Sequence, residues 1–155
     1  MSPLDSVEQG KLRQLEMGTL AGAIRLAIGA HQYLNYEYGL SPDPTPQTEN
    51  TMAWVVDPTG QYQALNGYWI YKVGFPNTQA MQCVETNGPL ETWNKHGGAK
   101  PPPQDWELFK FEVADMQAGS VRLKNVYGRF VRFNGNKFVC DGAVAPGAAV
   151  FYVEF

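Results

Sequence analysis

Residues 22–36 read GAIRLAIGAHQYLNY, and residues 119–133 read GSVRLKNVYGRFVRF. Laid side by side without a gap, Gly22 matches Gly119, Ile24 matches Val121, Arg25 matches Arg122 and Leu26 matches Leu123. Further along, Tyr33 matches Phe130, Leu34 matches Val131 and Tyr36 matches Phe133. Each block alternates apolar and polar residues, the period of a half-buried strand, with a turn between two strands. A fainter middle copy, GQYQALNGYWIY at 60–71, aligns when one turn residue is deleted. That alignment sets Gly67 in the place of Gly128 and Trp69 in the place of Phe130.

A second pattern follows each block. Trp54-Val55-Val56-Asp57, Phe109-Lys110-Phe111-Glu112 and Phe151-Tyr152-Val153-Glu154 all run aromatic, any, apolar, acidic. Shorter elements, Met81-Gln82-Cys83-Val84 and Phe138-Val139-Cys140, lie between hairpin and closing strand. Three units therefore succeed one another, at about 19–57, 58–112 and 116–155. No such unit can bury its own apolar face, so three of them predict a closed threefold barrel with a hairpin cap. Ile24, Leu26, Tyr33, Val121, Leu123, Phe130, Phe151 and Val153 are expected to point into it. The Pro-rich runs 41–46 and 100–103 read as stiff surface loops.

The phrase GSVRLKNVYGRFVRFNGNKFVCDG followed by AAVFYVEF resembles one lobe of a β-trefoil of the fascin and hisactophilin type. Gln104-Asp105-Trp106-Glu107-Leu108-Phe109 is similar to the Trp-Glu-x-Phe signature that closes lobes in the same superfamily. The resemblance implies an all-β fold, a β-trefoil of three four-strand lobes over residues 19–155; the N-terminal α-helix expected in residues 1–18 departs from the compact family pattern. It speaks for fold and little for function, because β-trefoils include lectins, actin bundlers, protease inhibitors and growth factors. The chain lacks the Gln-x-Trp repeat of ricin-like lectins.

Composition narrows the functions. The 155 residues include 16 glycines and 11 prolines, 13% aromatics and only 17% charged residues, against roughly 25% in an average soluble domain. A net charge of −3 speaks against nucleic-acid binding and actin bundling, both of which call for a basic patch. Gly18 to Ala30 is apolar, but Arg25 interrupts it, Glu16 stands at its entrance, and it is too short to span a bilayer. The sequence thus predicts a cytoplasmic protein with no membrane segment, in which Cys83 and Cys140 are reduced, buried thiols.

The first residues predict a helix over about 3–16. Ser2 is suited to cap it with Asp5 completing a capping box, Pro3 suits its first position and Gly18 stops it. Leu4, Val7, Leu12 and Leu15 make its apolar stripe. That stripe must bury under its own domain or against a partner, and the second option implies a homo-oligomer or a place in a larger assembly.

Chemistry is sparse. His31 reads as a turn residue and His96 as part of a solvated loop; no nucleophile elbow, phosphate loop or metal-ligand spacing occurs, so neither cofactor nor metal is expected. Rings beside amides are the better lead, at Asn66-Gly67-Tyr68-Trp69-Ile70-Tyr71 and Glu91-Thr92-Trp93-Asn94-Lys95-His96. Trp69 in the place of Phe130 is expected to fill the barrel. The insertion between Cys83 and Trp106 carries Asn87, Glu91, Trp93, Asn94 and His96, which a barrel core does not need. A sugar site wants that mixture, a ring for the C–H face and amides or carboxylates for hydroxyls. The expectation is a non-catalytic, lectin-like module taking a glycan or other small polar ligand. A structural subunit joined through its helix stands second, and a small enzyme acting by pocket shape third.

Overall fold

The computed structural model describes residues 3–29, 32–34, 53–58, 67–72, 80–83, 88–93, 108–125, 127–135 and 137–155. A helix, α1 (Ser6–Met17), precedes strands β1 (Gly22–Gly29), β2 (Gln32–Tyr33), β3 (Ala53–Asp57), β4 (Tyr68–Lys72), β5 (Ala80–Cys83) and β6 (Leu90–Trp93). Strands β7 (Leu108–Asp115), β8 (Ser120–Asn125), β9 (Phe130–Phe133), β10 (Phe138–Gly142) and β11 (Phe151–Glu154) follow.

Alternating apolar residues close these strands into a ring. β1 pairs with β11 and β3, β3 with β4, β4 with β7, β7 with β8, and β8 with β11, each antiparallel. Closure leaves the barrel strands without an open edge. Leu26 stands opposite Val153, Ile24 opposite Trp54 and Ile70 opposite Val56. Tyr68 stands opposite Phe109, Leu123 opposite Phe111 and Val121 opposite Phe151. All of these side chains are buried, two from each strand. A one-residue slip anywhere would turn such a pair to solvent, at roughly 1.5–3 kcal/mol per side chain. The register is therefore fixed by the core. This is the β-trefoil with an N-terminal helix that the sequence leads one to expect: β1, β4 and β8 open the lobes, and β3, β7 and β11 close them.

The structure corrects the middle repeat. Tyr68-Trp69-Ile70 occupies the first strand of its lobe, where Ile24-Arg25-Leu26 and Val121-Arg122-Leu123 stand in the others. Gly67 thus corresponds to Ala23 and Ser120, and Trp69 to the two arginines. The register says the same: Arg25 faces Glu154, Arg122 faces Glu112, and Trp69 faces Asp57. A glycine with an aromatic two residues on marks different strands in lobes two and three, and that likeness misaligned them. Trp69 consequently does not fill the barrel; it is half-buried, with its ring 5.0 Å from that of Tyr71.

The second strand of lobe one is also shifted, by one residue. Leu34 and Val131 join the core, while Tyr33, expected to point in, is half-buried and donates its hydroxyl to Glu154 at 2.8 Å. Burial, then the Glu154 carboxylate, pushes the Tyr33 pKa up. Phe130 is buried beside the main cluster, with the Lys124 ammonium 5.1 Å from its ring centre.

The helix begins later than expected, and its capping box is Asp5 with Glu8. The Glu8 amide donates to Asp5 at 2.8 Å and the Asp5 amide to Glu8 at 3.2 Å, which satisfies two orphan donors of the first turn. Gly18 ends it in the left-handed region, φ 80°. Leu12 and Leu15 are fully buried in the same core as the barrel layers, so the helix docks on its own domain. The Leu4 amide donates to the Gln117 carbonyl at 2.9 Å, and the Val113 amide to Glu16 at 2.6 Å. Leu4 lies so close over Gly119 that a Cβ there would come within 2.8 Å of it. Val7 does not join the stripe; it is 67% exposed. His31, Tyr36 and both Pro-rich runs lie outside the described residues.

Candidate functional site

In lobe two, β5 and β6 form an antiparallel hairpin that sets Ala80 opposite Trp93, Gln82 opposite Glu91 and Cys83 opposite Leu90. Ala80, Met81, Cys83 and Leu90 are buried, which anchors the hairpin on the core. β6 ends the path of paired strands. The turn leading into it is fastened to lobe three, where Pro89 bridges Val139 and the Cys140 amide donates to the Gly88 carbonyl at 2.9 Å.

A covalent link adds to these contacts. Cys83 and Cys140, expected as reduced thiols, are joined in a disulfide with their Cα atoms 6.3 Å apart, inside the range that a disulfide spans. Both residues are fully buried, as expected. They are 57 residues apart and in different lobes, so spacing gave no sign of the pairing.

Of the site residues expected from sequence, Glu91 and Trp93 are thus brought onto one strand, two positions apart. Asn87, Asn94 and His96 lie outside the described residues.

The hairpin of lobe three is built differently. Arg132 on β9 grips Asp141 on β10 with two hydrogen bonds, Nε to Oδ1 at 2.9 Å and the terminal nitrogen to Oδ2 at 2.8 Å. The hydrogen bonds from Arg132 hold the Asp141 carboxyl below the usual range, and Asp141 in turn raises the Arg132 pKa. Phe138 lies between Phe133 and Phe151, at centroid distances of 5.0 and 5.6 Å. Gly142 passes so close to Phe130 that a Cβ there would meet it at 3.0 Å. Arg132 and Asp141 thus satisfy each other across this hairpin.

At the opposite end, a cleft of about 430 Å³ opens between the end of α1 and the barrel, lined by Glu16, Thr19, Gly67, Tyr68, Lys110 and Phe111 among others. The Tyr68 hydroxyl donates to the Gln14 carbonyl at 3.5 Å, and burial pushes its pKa up to about 12, so it stays protonated and supplies no base at neutral pH. Among the described residues, no group of three His, Cys, Asp or Glu side chains lies close enough to hold a metal ion, and no helix is long and apolar enough to cross a membrane.

Neither a scan against protein-family models nor a search of curated proteins finds a match to this sequence. Solved structures do match. SeviL bound to asialo-GM1 saccharide superimposes with a TM-score of 0.59 at 13% identity, over 87% of this chain and 98% of that one. A mosquitocidal holotoxin gives 0.63 at 9% identity, over 88% of this chain but only 16% of its own length. The designed 3-fold symmetric protein ThreeFoil gives 0.52 at 11% identity, over 86% of this chain and 98% of its own. At such identities the likeness establishes the fold, a β-trefoil, and nothing finer.

Proposed function

We propose that this chain is a non-catalytic carbohydrate-binding module whose ligand contacts come from lobe two. The observation that carries the reading is the position of Glu91 and Trp93 on β6, a strand at the end of the sheet and fastened to lobe three. Binding groups gain when a rigid element holds them, because less freedom is lost with the ligand. A neutral polyhydroxylated ligand stacks its C–H face on Trp93, and Glu91 and Asn94 take its hydroxyls, with Asn87 and His96 flanking. That SeviL, of the same fold, was solved with a saccharide supports the class of ligand. The lobe signature favours the fascin-like branch of the fold.

On the same reading the chain works in an oxidising compartment rather than the cytoplasm, because such compartments preserve a structural disulfide. Assembly through the helix loses its main surface, since Leu12 and Leu15 are spent inside the chain. Light scattering of Val7→Glu tests what is left of that reading, and a fall in mass would favour the interaction subunit. The carbohydrate reading is tested by Trp93→Ala in a glycan screen, with melting recorded alongside. Lost binding at unchanged stability supports it. Lost stability alone makes Trp93 a packing residue and ends it.

A further inference from the structure

We propose that the Cys83–Cys140 disulfide positions the lobe-two hairpin for its ligand, so that binding follows the oxidation state of this pair while the barrel keeps its fold. The inference rests on the carbohydrate reading of lobe two for its ligand, and on geometry for the positioning. Cys83 is the last residue of β5 and stands opposite Leu90, the first residue of β6, so the link grips the closed end of the hairpin whose far end carries Trp93. Its other anchor, Cys140, lies within β10 between Val139 and Asp141, the strand that the Arg132–Asp141 grip already holds. Besides the disulfide, the Pro89–Val139 bridge, the hydrogen bond from Cys140 to Gly88 and the apolar packing of Met81 and Leu90 in the same core as Phe138 hold these two hairpins together.

None of the side chains in the two barrel layers takes part in the link, and the six-strand ring closes through its own pairings. Removing the bond therefore frees a cap and leaves the ring its registers. A hairpin that keeps its apolar packing and its pairing with β4 but loses the covalent tie at its closed end samples more positions, and apparent affinity falls by the fraction that remains competent.

The chemistry is thiol–disulfide exchange with a dithiol reductant. One thiolate of the reductant attacks a cystine sulfur, a mixed disulfide forms, and the second thiolate displaces the remaining cysteine. Two electrons and two protons pass to Cys83 and Cys140, and the reductant leaves as its own disulfide. Both residues are fully buried, so the exchange waits for the hairpin to open.

The test uses the full isotope-labelled chain in three states: oxidised, reduced with dithiothreitol, and Cys83→Ala/Cys140→Ala. Amide spectra and a glycan screen are read on each. The expected result is that peaks of β5, β6 and β10 move or broaden on reduction while those of β1, β8 and β11 keep their positions. Glycan binding weakens by at least about tenfold, and reoxidation of the wild type alone restores both. Unmoved β5 and β6 peaks, a spectrum that collapses as a whole, or binding that survives a loosened hairpin would each overturn the proposal. If the oxidised chain itself binds no glycan, the carbohydrate reading falls, and the spectra still decide whether the bond sets the hairpin.

Discussion

Lobes two and three share a barrel and differ in their caps. Each gives the ring a first strand and a closing strand with the same register, Tyr68 against Phe109 in one and Val121 against Phe151 in the other. Above the ring, lobe three satisfies its hairpin with an Arg132–Asp141 pair and a stack of phenylalanines. Lobe two sets Trp69 where its neighbours set arginine, and hangs the Glu91–Trp93 strand from a disulfide. The barrel repeats because one core must be filled three times. The caps also send apolar residues into that core, Met81 and Leu90 in lobe two and Val131 and Phe138 in lobe three, but they diverge on their other positions.

If that division holds, equivalent barrel residues should cost the same in both lobes. Phe109→Ala and Phe151→Ala are each expected to lose about 3–5 kcal/mol in chemical denaturation, since both rings are fully buried in the same ring of strands. Values that differ by more than about 2 kcal/mol would mean that the lobes do not share one core. Leu15→Ala should lose about 3 kcal/mol, and Val7→Ala less than about 0.5, because the helix buries the first and exposes the second. Equal losses would mean that the helix is not docked as described.

Trp69→Arg would rebuild in lobe two the arginine–acid register of its neighbours, opposite Asp57. It should lose about 1 kcal/mol, mainly the ring contact with Tyr71, and a gain in melting temperature would show that the tryptophan is a poor fit kept for some other purpose. The smallest effect is electrostatic and belongs to lobe three. Arg132 lowers the Asp141 pKa, so the pair stabilises the fold above about pH 4 and its contribution fades as pH falls through the lowered value. Asp141→Asn should therefore narrow the stability gap between pH 7 and pH 3 slightly; an unchanged gap would mean that the pair is idle.

How much of this was legible in the sequence follows from the same division. Period-two alternation at Ile24-Arg25-Leu26, Val121-Arg122-Leu123 and the three closing strands announces the ring, because burial on one face leaves a mark every second residue. The second strand of lobe one was one residue out of phase, while in lobe three both Phe130 and Val131 are buried. Tyr33 is large enough to look like core, yet the smaller Leu34 fills it. The disulfide could not be read, since it joins residues brought together only by closure of the barrel. Glu91 and Trp93 stood out because no core demands them, but their common strand emerged only with the fold.

The central claim is that lobe two, and not lobe three, meets the ligand. Amide shift mapping with the strongest hit of a glycan screen tests it most directly. The expected result is that shifted peaks cluster between residues 80 and 96, with lobe three and the helix unmoved. Shifts centred on residues 130–142, or on the cleft beside Glu16 and Lys110, would contradict it.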